Sequence, residues 1–222
     1  MCEFDSHSRR HFLSMAFGAL ALSLQTADMN SASSSRLIHS GLWRWVKGTG
    51  LERFELRREP NGWTLRGTIL ALGEQGPAEV TYTLSCDAAW RTQHGYIRLR
   101  DKFGDHWLRL VADKGRWFEN GREKKELAGC VDMDLGWSPS SNTLPIRRLG
   151  LRAGERSNAL VMAWVRFPEL TLEPLPQQYE RVSERSYLYT SGGGSFKARI
   201  DVDEDELVLD YEGIWQRVQE IR

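Results

Sequence analysis

Between Cys130 and Leu149 the chain concentrates side chains able to bind or react: Asp132, Asp134, Trp137, Asn142, Thr143 and the adjacent Arg147 and Arg148. Asp132 and Asp134 are two apart, so in an extended chain they point to the same side. Paired carboxylates can act as acid and base when their surroundings separate their pKa values. Neighbours on one strand, however, sit closer than the span needed to flank a scissile bond. The arginines follow a turn and can reach back to the acids, as buried charges require. Two readings stand. One is a structural ion-pair corner that pins two strands. The other is a ligand-contacting corner, in which Arg147 and Arg148 grip a phosphate or carboxylate. There Asp132, Asp134 and Asn142 would bond sugar hydroxyls and Trp137 would stack on a sugar face.

Other chemistry finds little support. Past the first 35 residues the histidines are His39, His94 and His106, scattered and without metal-ligand spacing. No serine–histidine–aspartate order carries a local motif. The run from Asp201 to Glu206 hints at a calcium loop, but Glu206 stands where such a loop needs glycine, so it reads as a solvated hairpin tip. Gly192-Gly193-Gly194 lacks the Gly-Lys-Ser/Thr of a phosphate loop and reads as a flexible turn. No metal or other cofactor is implied.

The elements that must position these groups are mostly strands. The 222 residues suffice for one sizeable domain or two small ones. Lys+Arg and Asp+Glu number 30 each, which argues against a nucleic-acid partner. Val80, Tyr82, Leu84 and Cys86 alternate with Thr81, Thr83 and Ser85, the pattern of a strand with one packed face. Pro60-Asn61-Gly62 and Asn120-Gly121 are hairpin turns. Strand-like runs at short intervals predict a β-rich domain: one antiparallel sheet, closed as a barrel or open and strongly curved. A short helix can start at Pro145 and stop at Gly150, and the charged run from Gln177 is a second candidate.

The N-terminal stretch reads differently. Ser8-Arg9-Arg10-His11-Phe12-Leu13 has the form of a twin-arginine export signal, ahead of an apolar run too short to span a bilayer. Residues 1–35 are expected to be leader and linker, and 36–222 the domain. Export to the periplasm or cell envelope follows, unless the true start is Met29 and the protein cytoplasmic. Cys86 and Cys130 could pair in an oxidising compartment. Two independent buried thiols is the favoured reading.

Several ordered motifs are similar to those of a known family. They are Trp43 with Gly50-Leu51-Glu52; Cys86-Asp87-Ala88-Ala89-Trp90-Arg91; Asp132-Met133-Asp134-Leu135-Gly136; and Asn142-Thr143-Leu144-Pro145-Ile146-Arg147-Arg148-Leu149. Phe167-Pro168-Glu169-Leu170, Gln178-Tyr179-Glu180-Arg181, Tyr187-Leu188-Tyr189 and Asp210-Tyr211-Glu212-Gly213-Ile214-Trp215 continue the series. From Leu42 to Val218 the chain resembles the glycolipid-binding family formerly known as a domain of unknown function. The resemblance implies a fold like the Lol lipoprotein carriers: a curved antiparallel sheet wrapped as an open or half barrel around one or two short helices. It implies non-catalytic binding of a lipid or glycolipid in an apolar cavity, with transient membrane contact. A tail of ten methylenes there could supply on the order of 8 kcal/mol before binding costs. The motifs add Asp87, Trp90 and Arg91 to the candidate ligand contacts. The alternatives are a hydrolase using Asp132 and Asp134, and a structural envelope protein with a filled core. No oligomeric state follows.

Overall fold

The computed structural model describes residues 35–221, so the expected leader lies outside the described residues. Strands β1 (Arg36–Trp45), β2 (Thr49–Glu59), β3 (Gly62–Gly73), β4 (Gly76–Asp87), β5 (Thr92–Asp101), β6 (Gly104–Asp113), β7 (Arg116–Glu119) and β8 (Arg122–Glu123) form one antiparallel meander. A second comprises β9 (Met133–Leu135), β10 (Leu160–Arg166), β11 (Thr171–Ser183), β12 (Ser186–Ser191), β13 (Phe196–Val202), β14 (Val208–Tyr211) and β15 (Trp215–Ile221). Antiparallel pairing of β1 with β15, Trp45 opposite Trp215, joins them into one 15-stranded sheet. The sheet stays open, with β8 and β9 as its edges, and only β9 and β10 pair in parallel. Of the closed and open forms that the strand pattern allows, this is the curved, unclosed one that the resemblance implies.

Period-two patterning decides which side is inside. In β4, Ala78, Val80, Tyr82, Leu84 and Cys86 are buried, while the residues between them face outward. Trp43 is fully buried, stacks on Phe54 at 3.7 Å, and donates its indole N–H to the Val208 carbonyl at 2.8 Å. That bond satisfies the one polar atom of a large apolar side chain. The run from Gln177 is strand, not helix. Buried Gln177 and Tyr179 alternate with less buried Gln178 and Glu180, and its neighbour β12 pairs Tyr189 with Tyr179.

The stretch from Cys130 to Leu149 runs inside the wrap. It contains β9, a 3-10 turn at Ser140–Asn142 and the helix α1 (Thr143–Leu149), which ends at Gly150 with φ +54°. Both halves of the sheet hold it. Thr92 of β5 accepts the Met133 N–H, Tyr82 of β4 bonds Ser140, and Tyr179 of β11 bonds Asn142. A β-carbon at Gly95 would stand 2.1 Å from the Met133 methyl, so glycine there lets β9 reach the sheet. The wrap is thus filled along this segment by Met133, Leu135, Leu144 and Ile146.

A cleft beside Asp134

Where the inner segment leaves β9, a cleft of about 380 Å³ opens. The parallel register sets Asp134 of β9 beside Trp164 of β10. Ser138 and Asn142 come from the inner segment, Tyr189 and Ser191 from β12, Phe196 from β13, Tyr211 from β14 and Trp215 from β15. Asp134 is the one charged residue on the wall; no lysine or arginine lines it.

Asp134 is half-buried and held from two sides. One carboxylate oxygen accepts from Ser141 Oγ at 3.0 Å and the other from Gln177 Nε2 at 2.5 Å. A carboxylate has about four acceptor sites, so two are left for a ligand. Desolvation pushes the Asp134 carboxyl above the usual aspartate range, opposed by those two bonds. Behind it, Tyr179 donates to Asn142 at 2.9 Å and lies 3.2 Å from Gln177 Oε1. The rings of Tyr179, Tyr189 and Tyr211 meet edge-on or tilted at 5.2 and 5.9 Å. Burial raises all three phenols, which stay protonated as donors.

A second buried acid stands behind the cleft. Glu52 of β2 is fully buried. Its Oε1 accepts from Tyr82 at 2.5 Å and from Ser138 at 2.8 Å, while Oε2 has no partner. Burial pushes its carboxyl up to about 8, against the pull of those hydroxyls. A β-carbon at Gly67 would fall 2.3 Å from the Tyr82 ring, so glycine makes room for this contact.

The remaining sequence candidates gather elsewhere. Arg148 grips the fully buried Asp132 with Nε at 3.0 Å and a terminal nitrogen at 2.7 Å. Burial raises the Asp132 carboxyl and Arg148 opposes the rise. Arg147 donates to the Asp205 carbonyl at 2.8 Å and lies 4.6 Å over the Trp90 ring. Trp90, at φ +65°, stacks on Trp63 at 4.6 Å. Asp87 shapes that turn by accepting from the Ala89 and Arg91 N–H groups, both at 2.9 Å, and Arg91 is exposed. Thr143 is buried in the first turn of α1. Of the ten candidates, Asp134 and Asn142 line the cleft. Trp137 stands next to it in a row of rings: Phe167 to Trp137 at 5.3 Å, Trp137 to Trp45 at 6.1 Å, and Trp45 to Trp215 at 5.6 Å.

One other expectation changes and one holds. The tip at Asp203 is solvated only in part, with Glu204 exposed. Asp203 is buried, accepts from the N–H groups of Asp205 and Leu207, and pairs with Arg217 at 2.6 Å. Cys86 and Cys130 are separate buried thiols, pushed up to about 12 and about 11 by desolvation.

The family model described as "Putative glycolipid-binding" matches residues 41–217. The chain belongs to this family. A crystal structure of a DUF1089 family protein from Pseudomonas aeruginosa is similar at 35% identity and a TM-score of 0.69, over 75% of this chain and 92% of that one. No curated protein matches. Three family motifs meet at the cleft: Tyr179 from one, Tyr189 from a second, and Tyr211, Ile214 and Trp215 from a third reach the cleft or its backing. Trp164, Phe196 and Gln177 carry no such signal.

Proposed function

We propose that the cleft binds the sugar of a neutral glycolipid, without turnover, and that the lipid lies along the row Trp215, Trp45, Trp137 and Phe167. One observation carries this reading: the wall presents a single carboxylate and several hydroxyls opposite aromatic rings, with no cation. Hydroxyl-rich rings need acceptors at the edge and an apolar platform at the face. Phosphate, sulfate or carboxylate headgroups need a cation, and the arginines once assigned to them are bonded to Asp132 and Asp205. Arg147 lies over the Trp90 ring and Arg148 against Asp132, so an acyl tail is better served by the aromatic row.

Hydrolysis is less well supported. Asp132 and Asp134 have different partners, and Asp134 alone of the two lines the cleft. An acid and a base flanking one bond are not brought together there. The test is extraction of the purified protein with organic solvent, followed by mass spectrometry. Neutral glycolipid in the extract supports the reading. Phospholipid alone, or a substrate consumed during incubation, contradicts it.

A further inference from the structure

We propose that the end of the wrap carrying the β1–β2, β3–β4 and β5–β6 turns docks on a lipid bilayer through its outward leucines. On the convex face, Leu51 is opposite Leu70, and Leu72 is opposite Pro77. Leu51, Leu70 and Leu72 are 45, 55 and 53% exposed and line an open groove of about 610 Å³. Contiguous exposed apolar surface of this kind marks a contact site.

Three features select a bilayer over a protein. First, the patch lies on β2, β3 and β4, each paired on both sides, so no partner strand can add to it. Second, it is short. Two pairs further from the turns, the outward row becomes Arg53, Thr68 and Thr81. A stable protein interface covers about 800 Å² on each partner, more than these side chains offer. Third, Phe103 projects from the neighbouring β5–β6 turn at 65% exposure, with the Lys102 ammonium 4.9 Å from its ring. An aromatic tip beside a lysine suits the headgroup boundary, where the ring inserts and the cation reaches for phosphate. Glu79 and Arg100 are opposite each other in the register, and Asp105 pairs with Arg100, so attraction rests on apolar insertion and a neutral bilayer suffices. The aromatic row opens at the same end of the wrap but on its inner face: a β-carbon on Gly50, which points opposite to Leu51, would stand 3.2 Å from the Trp45 ring. A lipid leaving the membrane here would reach Trp45 by passing around the turn end of the sheet. That route rests on the sugar-cleft reading; the docking itself does not.

The test is flotation of the full chain with phosphatidylcholine vesicles free of glycolipid. The wild-type chain is expected to float. Leu70→Lys with Leu72→Lys should lower the bound fraction about tenfold or more. Leu51→Asn should lower it less, and Thr83→Lys, outward on β4 beyond the patch, should leave it unchanged. The substituted side chains face solvent, so circular dichroism and melting should match wild type. A wild-type chain that stays with the buffer overturns the proposal, as does a double variant that floats normally. A dimer dissolved by the double substitution also overturns it. Asp134→Asn should float like wild type, so failure here and failure of the sugar site are distinguishable.

Discussion

Replacing Glu52 by glutamine is expected to flatten the pH dependence of folding stability. In the unfolded chain this carboxyl titrates near 4.5, and in the folded chain burial holds it up to about 8. Between those values the unfolded state has released the proton and the folded state keeps it. Stability therefore falls as pH rises through this window. Below about 4.5 the contribution is fully present, and above about 8 it is lost. The rise from 4.5 to about 8, at about 1.4 kcal/mol for each pH unit, amounts to on the order of 5 kcal/mol. Among the described residues no arginine or lysine bonds the anion: its hydrogen-bond partners are Tyr82 and Ser138, and Oε2 has none. The assay is urea unfolding of wild type and Glu52→Gln at intervals from about pH 5 to pH 9. Other groups with raised values, Asp132 and Asp134 among them, cancel in the difference between the two proteins. Wild type should lose stability relative to the variant by about 1 kcal/mol or more per unit between pH 5 and 8. A difference that is constant with pH would refute the reasoning. Because Ser138 both lines the cleft and donates to Glu52, ligand affinity should change as the folded carboxyl titrates, near pH 8.

Other outcomes follow from the same geometry. Arg148→Ala strands the Asp132 carboxylate in the interior and should cost about 3–5 kcal/mol in urea unfolding. Adding Asp132→Asn should recover part of that loss. In a chain carrying Cys2→Ser, Cys86 and Cys130 should stay unreactive to a thiol reagent near pH 8 until the protein unfolds; rapid labelling of native protein would contradict their burial. We also propose that the twin-arginine segment directs export. N-terminal sequencing of native protein should then find a start just after Ala27 or Ser33, past the apolar run, and a start at Met29 would contradict it.

The strands and hairpins were legible in the sequence because period-two alternation and turn residues are local signals. Val80, Tyr82, Leu84 and Cys86 face inward as the alternation requires. The helix at Pro145 and its stop at Gly150 were legible for the same reason. The site was less so. Asp132 and Asp134 look equivalent in the sequence, yet one meets Arg148 and the other Ser141 and Gln177. Which partner an acid finds depends on a segment threaded through the wrap, and spacing does not encode that. The arginines were read two ways, as ion-pair partners of the acids and as ligand grips; Arg148 pairs with Asp132 as the first reading has it, while Arg147 meets the Asp205 carbonyl 58 residues away. Glu52 alternates with Phe54 and Leu56 on the buried face, so its burial was implied by pattern. The hydroxyls it meets come from other parts of the chain. The cleft wall is assembled from β9 to β15 and the inner segment, and its register becomes visible only once β1 pairs with β15.

The central claim is that Asp134 and the rings around it hold a neutral sugar. Calorimetric titration of a short-chain neutral alkyl glycoside into wild type and Asp134→Asn tests it most directly, with an alkyl phosphate of equal chain length in parallel. A hydrogen bond to a charged acceptor is worth about 1.5–3 kcal/mol, so the substitution should weaken glycoside binding by about tenfold or more. The phosphate should bind worse than the glycoside to wild type. Equal glycoside affinity in the two proteins, or a preference for the phosphate, would contradict the account.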